Sequence, residues 1–134
     1  GYDVLYMEGT DKLSVAWRAR SEGRVLLTRD HSLANRQGLR VVLINAKDFK
    51  DRIDQVLQEV GPPPQAAGPR CMACNTPLVF LAREDARELV PPYIFRTQNE
   101  FSQCPECGKV YWHGTHWDEI KARIEEAIHR GWKL

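Results

Sequence analysis

No run of apolar residues in this sequence approaches the roughly 18 that a membrane-spanning helix requires, so no membrane is expected among its partners. Nor does it open on the basic, apolar and small-residue succession of a secretory signal. It begins Gly1-Tyr2-Asp3 rather than with Met, which points to a processed, trimmed or partial N terminus. Charge of one sign is lacking too: 19 Lys and Arg stand against 18 Asp and Glu, for a formal net charge of +1. That balance excludes recruitment of nucleic acid by a global positive field and leaves only local patches for the purpose. There is no internal repeat, and no low-complexity tract outside Gly61-Pro62-Pro63-Pro64-Gln65-Ala66-Ala67-Gly68-Pro69. Cysteine is scarce, at four residues. Their pairing into two Cys-x-x-Cys runs, with no other sign of secretion, favours metal ligation in a reducing cytoplasm over disulfides.

What is present divides at the Pro- and Gly-rich tract. Over residues 1–61, strand-like and helix-like patterns alternate. Asp3–Met7 reads as a strand, followed by a helix that starts at Thr10 or Asp11, carries Leu13, Ala16, Trp17 and Arg20 at helical spacing and closes at Gly23. Val25–Thr28 and Arg40–Ile44 read as short buried strands, with one or two helical turns over Asp30–Gln37 between them. Asn45 is placed to cap a helix striped by Phe49, Ile53, Val56, Leu57 and Val60 and ended by Gly61. This succession predicts an α/β unit with a parallel sheet. Residues 62–69 read as a linker, stiff at its proline end. Residues 70–134 hold the cysteines, a short helix over Arg83–Leu89 and a C-terminal helix. Thr115 and Asp118 mark that helix's start, Trp117, Ile120, Ile124, Ala127 and Ile128 its apolar stripe, and Gly131 its end.

Cys71-Met72-Ala73-Cys74 and Cys104-Pro105-Glu106-Cys107-Gly108 are two knuckles separated by residues 75–103. A Cys-x-x-Cys turn offers two thiolates from one tight loop, and two such turns supply the four soft ligands of a tetrahedral zinc. With every corner filled by Cys, no position remains for a substrate, so one structural zinc is expected. A dithiol redox site would sit at a strand-to-helix junction, which Pro77 and Gly108 oppose. His113 and His116 lie nearby in sequence but are not needed as ligands.

The carboxylates speak less plainly. Ligands of an open parallel sheet gather at the carboxyl ends of its strands. Asp30 lies just past one such end, and Asp11 opens the helix that leaves the preceding strand. Carboxylates converging there could hold Mg²⁺ or Mn²⁺ for phosphodiester hydrolysis. From spacing alone, however, capping of their own helices is the simpler reading of both. The same duality holds for Lys109, Tyr111, Trp112, His113, His116 and Trp117. They are suited to stacking on single-stranded RNA and contacting its backbone, but a small zinc module also needs large aromatics to build any core. Among the arginines clustered before residue 41, Arg18 and Arg20 read most simply as a solvated helix face.

Taken together, Glu22-Gly23-Arg24-Val25-Leu26-Leu27-Thr28-Arg29-Asp30, the knuckle at Cys104–Gly108 and Val110-Tyr111-Trp112-His113-Gly114-Thr115-His116-Trp117 resemble the Mut-seven C-terminal RNase domain. Val90-Pro91-Pro92-Tyr93 resembles the segment before its second knuckle, and the resemblance spans essentially the whole chain. It implies a PIN-like nuclease fold with an appended zinc ribbon, and a Mg²⁺- or Mn²⁺-dependent ribonuclease. On this resemblance Asp30 and Asp11 are the catalytic metal ligands, Asp48 is a remote further acid, and Arg29 contacts phosphate. The ribbon positions RNA through Lys109, Trp112, His113 and His116. Members of the family begin with a strand that ends in Asp, then a helix rich in Leu and Arg, before a segment like Gly1-Tyr2-Asp3-Val4. That unit is not in this sequence. The resemblance therefore implies a PIN-like sheet incomplete at its N-terminal side. Roughly 20–25 further residues, enough for a strand and a crossover helix, or a strand from a partner would complete it. The chain alone would bind catalytic metal weakly and cleave RNA poorly. A different function for the same features is a non-catalytic zinc-ribbon module that binds RNA or the ribosome. A third is an interaction domain whose open strand edge accepts a partner strand.

Overall fold

A computed structural model describes residues 1–64 and 67–129, apart from the side chains of Thr115, His116, Ala127 and Ile128. The chain divides into two compact units. One comprises Gly1–Leu5 with Pro63–Ala122, the other Tyr6–Pro62 with the C-terminal part of the last helix from Arg123.

In the unit that begins at Tyr6, helix α1 spans Lys12–Ser21. Asp11 starts it from an extended conformation by accepting the Leu13 and Ser14 N–H groups at 3.0 Å each, as an N-cap should. Gly23, at φ +64°, turns the chain back into strand β1, Val25–Thr28. A 3-10 turn over His31–Leu33 leads to β2, Arg40–Leu43, and the two strands pair in parallel with Leu26 opposite Val41 and Leu27 opposite Val42. This register places Leu26 and Val41 on one sheet face and Leu27 and Val42 on the other. Against the first face pack Ala16 and Ala19 of α1 together with Leu33, all buried. The small alanines let the helix backbone approach the sheet closely.

Helix α2, Phe49–Val60, is tied to β2 by Gln55 Nε2, which donates to the Leu43 carbonyl at 2.8 Å, and by Arg40 Nη2, which donates to that of Glu59 at 2.9 Å. Its cap is Asp48 and not Asn45 as the sequence suggested. The Asn45 N–H is held by Gln55 Oε1 at 3.1 Å, which keeps the chain irregular for three more residues.

The strand expected over Asp3–Met7 is not formed. A strand needs a neighbour for its ladder, and no strand of the described residues lies beside it. Val4, Leu5 and Tyr6 remain 57%, 44% and 81% exposed. The Val4 N–H bonds a side chain instead, Asn75 Oδ1 at 3.0 Å. The parallel sheet of the described residues therefore has two strands, β1 and β2.

The cysteine-bearing unit is built on a three-stranded antiparallel sheet of β3 (Val79–Leu81), β4 (Phe101–Gln103) and β5 (Val110–Trp112), in that order. Between β3 and β4 lie two short helices, α3 (Arg83–Ala86) and α4 (Pro92–Thr97). Ala86, Val90 and Phe101 form its core, with Ile94, Phe95 and Trp112 packed against it. Helix α4 is not among the helices expected from the sequence, although proline is favoured in a first helical turn, where its absent N–H is not needed. The last helix, α5, spans Thr115–His129. Gly131, its expected end, lies outside the described residues. No helix among the described residues is long and apolar enough to cross a membrane.

Candidate metal centre

The two Cys-x-x-Cys runs fold into the same loop twice. In the first, Cys71 N–H donates to the Thr76 carbonyl at 2.8 Å and Asn75 N–H donates to the Cys71 carbonyl at 2.8 Å. In the second, Cys104 N–H donates to Lys109 at 2.9 Å and Gly108 N–H to Cys104 at 3.0 Å. Each loop also directs the amide of its second cysteine at the sulfur of its first: Cys74 N–H to Cys71 Sγ at 3.4 Å, Cys107 N–H to Cys104 Sγ at 3.5 Å. Both turns close through a residue in the left-handed region, Asn75 at φ +60° and Gly108 at φ +75°. Among side chains with a Cβ, Asn tolerates that region best. A bond from Thr76 Oγ1 to Glu106 joins one loop to the other.

Folded this way, the loops bring the four sulfurs within 4.8 Å of one another, with Cys71 and Cys107 at 3.7 Å. Zinc–sulfur bonds of about 2.3 Å put tetrahedral sulfurs about 3.8 Å apart, so the donor set fits zinc in number, kind and spacing. Its electrostatics call for a cation as well. The Tyr111 hydroxyl, 3.1 Å from Cys71 Sγ, is the main cause that holds the Cys71 thiol down to about 6. The Cys74 thiol, crowded first by the sulfur of Cys107, is pushed up to about 12. Such a set deprotonates fully only around a dication. Cys71 and Cys104 are buried, while Cys107 is exposed.

Tyr111 is better placed than the sequence suggested. Its oxygen accepts the Met72 N–H at 3.1 Å while it lies against Cys71 Sγ, so one phenol on β5 fixes both the ligand and the loop that carries it. Asn75 escaped notice altogether. Besides closing its turn, it donates through Nδ2 to Asp3 Oδ1 at 2.7 Å and accepts from Val4. Its place four residues after Cys71, matching Gly108 after Cys104, was the available signal.

The acidic residues are arranged otherwise. Asp30 lies beyond the carboxyl end of β1 and caps the 3-10 turn, its Oδ1 accepting Ser32 N–H at 2.8 Å. Lys12 Nζ sits 3.2 Å from its Oδ2. Bonds from Ser32, then Lys12, hold the Asp30 carboxyl down to about 2. Asp11 accepts two amides and the Ser14 hydroxyl, the last at 2.6 Å, and that hydroxyl is the chief reason its pKa is lowered. Asp48 caps α2. Among the described residues the four cysteines alone form a group of three or more side chains poised for a metal. The sequence did not disclose Lys12 as the neighbour of Asp30, since only the fold brings them together.

Of the remaining predicted residues, Arg29 donates through Nη2 to the Ala46 carbonyl at 3.3 Å. Lys109 is exposed at the turn before β5. Trp112 is half-buried against the ribbon core. His113 stacks on Trp117, with ring centroids 5.1 Å apart and planes at 14°, and its Nδ1 lies 3.5 Å from Glu100 Oε2. The His116 side chain lies outside the described residues.

In a comparison with known protein families, a family model described as the Mut7-C RNAse domain matches residues 1–124. No curated protein matches the chain, and no solved structure does.

Proposed function

Since the chain belongs to the Mut7-C RNAse domain family, we propose that it acts in the protein that carries it as a metal-dependent ribonuclease, with a structural zinc in its ribbon. The family match over residues 1–124 is the observation that carries this reading. The place of Asp30 supports it, because a carboxylate at the carboxyl end of a parallel strand is where such sheets hold ligands. In this reading the sheet is PIN-like, and Asp30 and Asp11 hold Mg²⁺ or Mn²⁺. When bound, such an ion activates water and stabilises the leaving group of phosphodiester hydrolysis. Asp30 is suited to the task, being anionic at any working pH and retaining lone pairs beyond those its cap uses. Lys12 would have to yield Oδ2 to the ion. Arg29, next to Asp30, contacts a phosphate, and the ribbon steadies the RNA through Lys109, Trp112, His113 and His116. A partner strand or a further N-terminal segment would complete the sheet beside β1 and β2.

The experiment is manganese-dependent cleavage of single-stranded RNA by the protein as encoded, compared with Asp30→Asn. A loss of about 100-fold or more is expected for removal of a metal-holding charge. Equal rates would remove Asp30 from the mechanism.

One observation favours a second reading, a zinc ribbon that binds RNA without cutting it. Both candidate carboxylates are already engaged as helix caps, and Asp30 also carries an ammonium neighbour. Retention of RNA by a protein that cleaves none at any manganese concentration would decide for it.

A further inference from the structure

The ribbon unit carries a groove of about 340 Å³ beside β4 and β5, whose walls include Met72, Phe80, Trp112, His113, Trp117 and Glu100. Met72 and Phe80 are 91% and 82% exposed, far more than core side chains of their kind. The rings of His113 and Trp117 stack on one another with nearly parallel planes, which leaves the outer side of the pair as the π face a further ring could extend. Flat aromatic faces flanked by a flexible thioether suit a planar ring as ligand. Phosphate suits the groove less well. Its carboxylate, Glu100, is 78% exposed, and Arg70 has Nη1 occupied by the Asn75 carbonyl at 2.8 Å.

We propose that this groove binds one unpaired guanine base of an RNA strand. The reading of the chain as a domain that acts on RNA supplies the polymer; the groove supplies the choice of base. A carboxylate only accepts hydrogen bonds. Glu100 directs Oε2 at His113, and Oε1 makes no hydrogen bond among the described residues. Guanine offers two adjacent donors on its Watson–Crick edge, N1–H and the N2 amino group, which match the two oxygens of a carboxylate. Adenine and cytosine offer one amino group beside an acceptor. Uracil offers a single N–H between two carbonyls, which the carboxylate repels. Stacking on the outer face of the His113–Trp117 pair holds any base, and Glu100 selects among them, the division of labour by which single-stranded RNA is read.

The test uses the zinc-loaded chain without Mg²⁺ or Mn²⁺. Tryptophan fluorescence is titrated with an unstructured RNA of uridines that holds one guanosine, and with the all-uridine strand. About tenfold tighter binding of the guanosine strand is expected, within the range one bidentate base contact gives. Glu100→Gln should bring the two strands to within about twofold of one another, and Phe80→Ser, at an exposed wall, should weaken both without unfolding the ribbon. Asp30→Asn, at the cleavage site, should leave the preference for the guanosine strand as it is in the wild type. Loss of cleavage therefore tests the ribonuclease reading, and loss of discrimination tests the groove. Equal affinity for the two strands, or discrimination that survives Glu100→Gln, would overturn the proposal. Binding unaffected by Phe80→Ser would place the RNA elsewhere and leave the groove to another occupant, such as an apolar peptide.

Discussion

The two knuckles and the acidic strand end are both clusters of metal-loving side chains, yet they are opposites in construction. At the knuckles, every local hydrogen bond helps to turn a sulfur toward the other three, and the result is a closed set within 4.8 Å. At the strand end, each carboxylate is turned to its own helix, Asp11 to α1 and Asp30 to the 3-10 turn, with Lys12 on the outer oxygen. The first arrangement loses its purpose without a cation, while the second is a self-sufficient structure that a cation would have to enter. A closed site of identical soft ligands contributes to folding, and an open site of hard ligands can exchange ions and substrate.

The largest effect should come from opening the closed site. Cys104→Ser, at a ligand 1% exposed, should abolish zinc retention and with it the near-UV signal of the ribbon aromatics, since structural zinc binding is folding free energy. Less than about one zinc per wild-type chain under reducing conditions would contradict the site itself. Tyr111→Phe should come next. It removes a hydroxyl from Cys71 Sγ and from Met72 N–H without altering the core, and chelator competition should find zinc affinity lowered about 10- to 100-fold.

Equivalence of the knuckles can be sharpened through their left-handed residues. A Cβ on Gly108 would meet nothing within 4 Å, so Gly108→Ala should cost only the backbone term, about 1 kcal/mol, in thermal melts of the zinc-bound chain. Asn75→Gly should leave its own turn intact and lose only the ties to Asp3 and Val4. A larger loss of zinc from Asn75→Gly than from Gly108→Ala would show that the loops are not equivalent.

The smallest effect belongs to the acidic end. The folded pKa of Asp30, about 2, lies below its ordinary 3.8. Its ionised form therefore stabilises the fold above about pH 4, and that contribution is lost as pH falls through about 2. Between those values, the difference in thermal midpoint between wild type and Asp30→Asn should shrink toward zero. A difference that stays constant would mean that the cap, not the charge, is what the substitution removes.

The same contrast explains what could be read in the sequence. A Cys-x-x-Cys pair is its own local device, so ligands and turns follow from spacing; Asn75 was missed although it stands where Gly108 stands in the second knuckle. β1, β2, α1 and α2 were legible from apolar period and stop signals, within a few residues. Asp3–Met7 misled because an apolar run specifies burial or pairing, not which partner supplies it. The Asn45 cap failed to a side chain ten residues away, Gln55. Lys12 beside Asp30 and Tyr111 beside Cys71 are products of tertiary contact, and no local pattern encodes them. The resemblance carried the family; it did not reveal how Asp11 and Asp30 are held.

Manganese binding at the acidic end is the most direct measurement of whether that end is a metal site at all. The zinc-loaded protein as encoded would be titrated with Mn²⁺ and followed by electron paramagnetic resonance, with Asp30→Asn alongside. Uptake of manganese by the wild type, lost in Asp30→Asn while zinc content stays the same, is the predicted result. Equal manganese uptake by both proteins, or none by either, would contradict it.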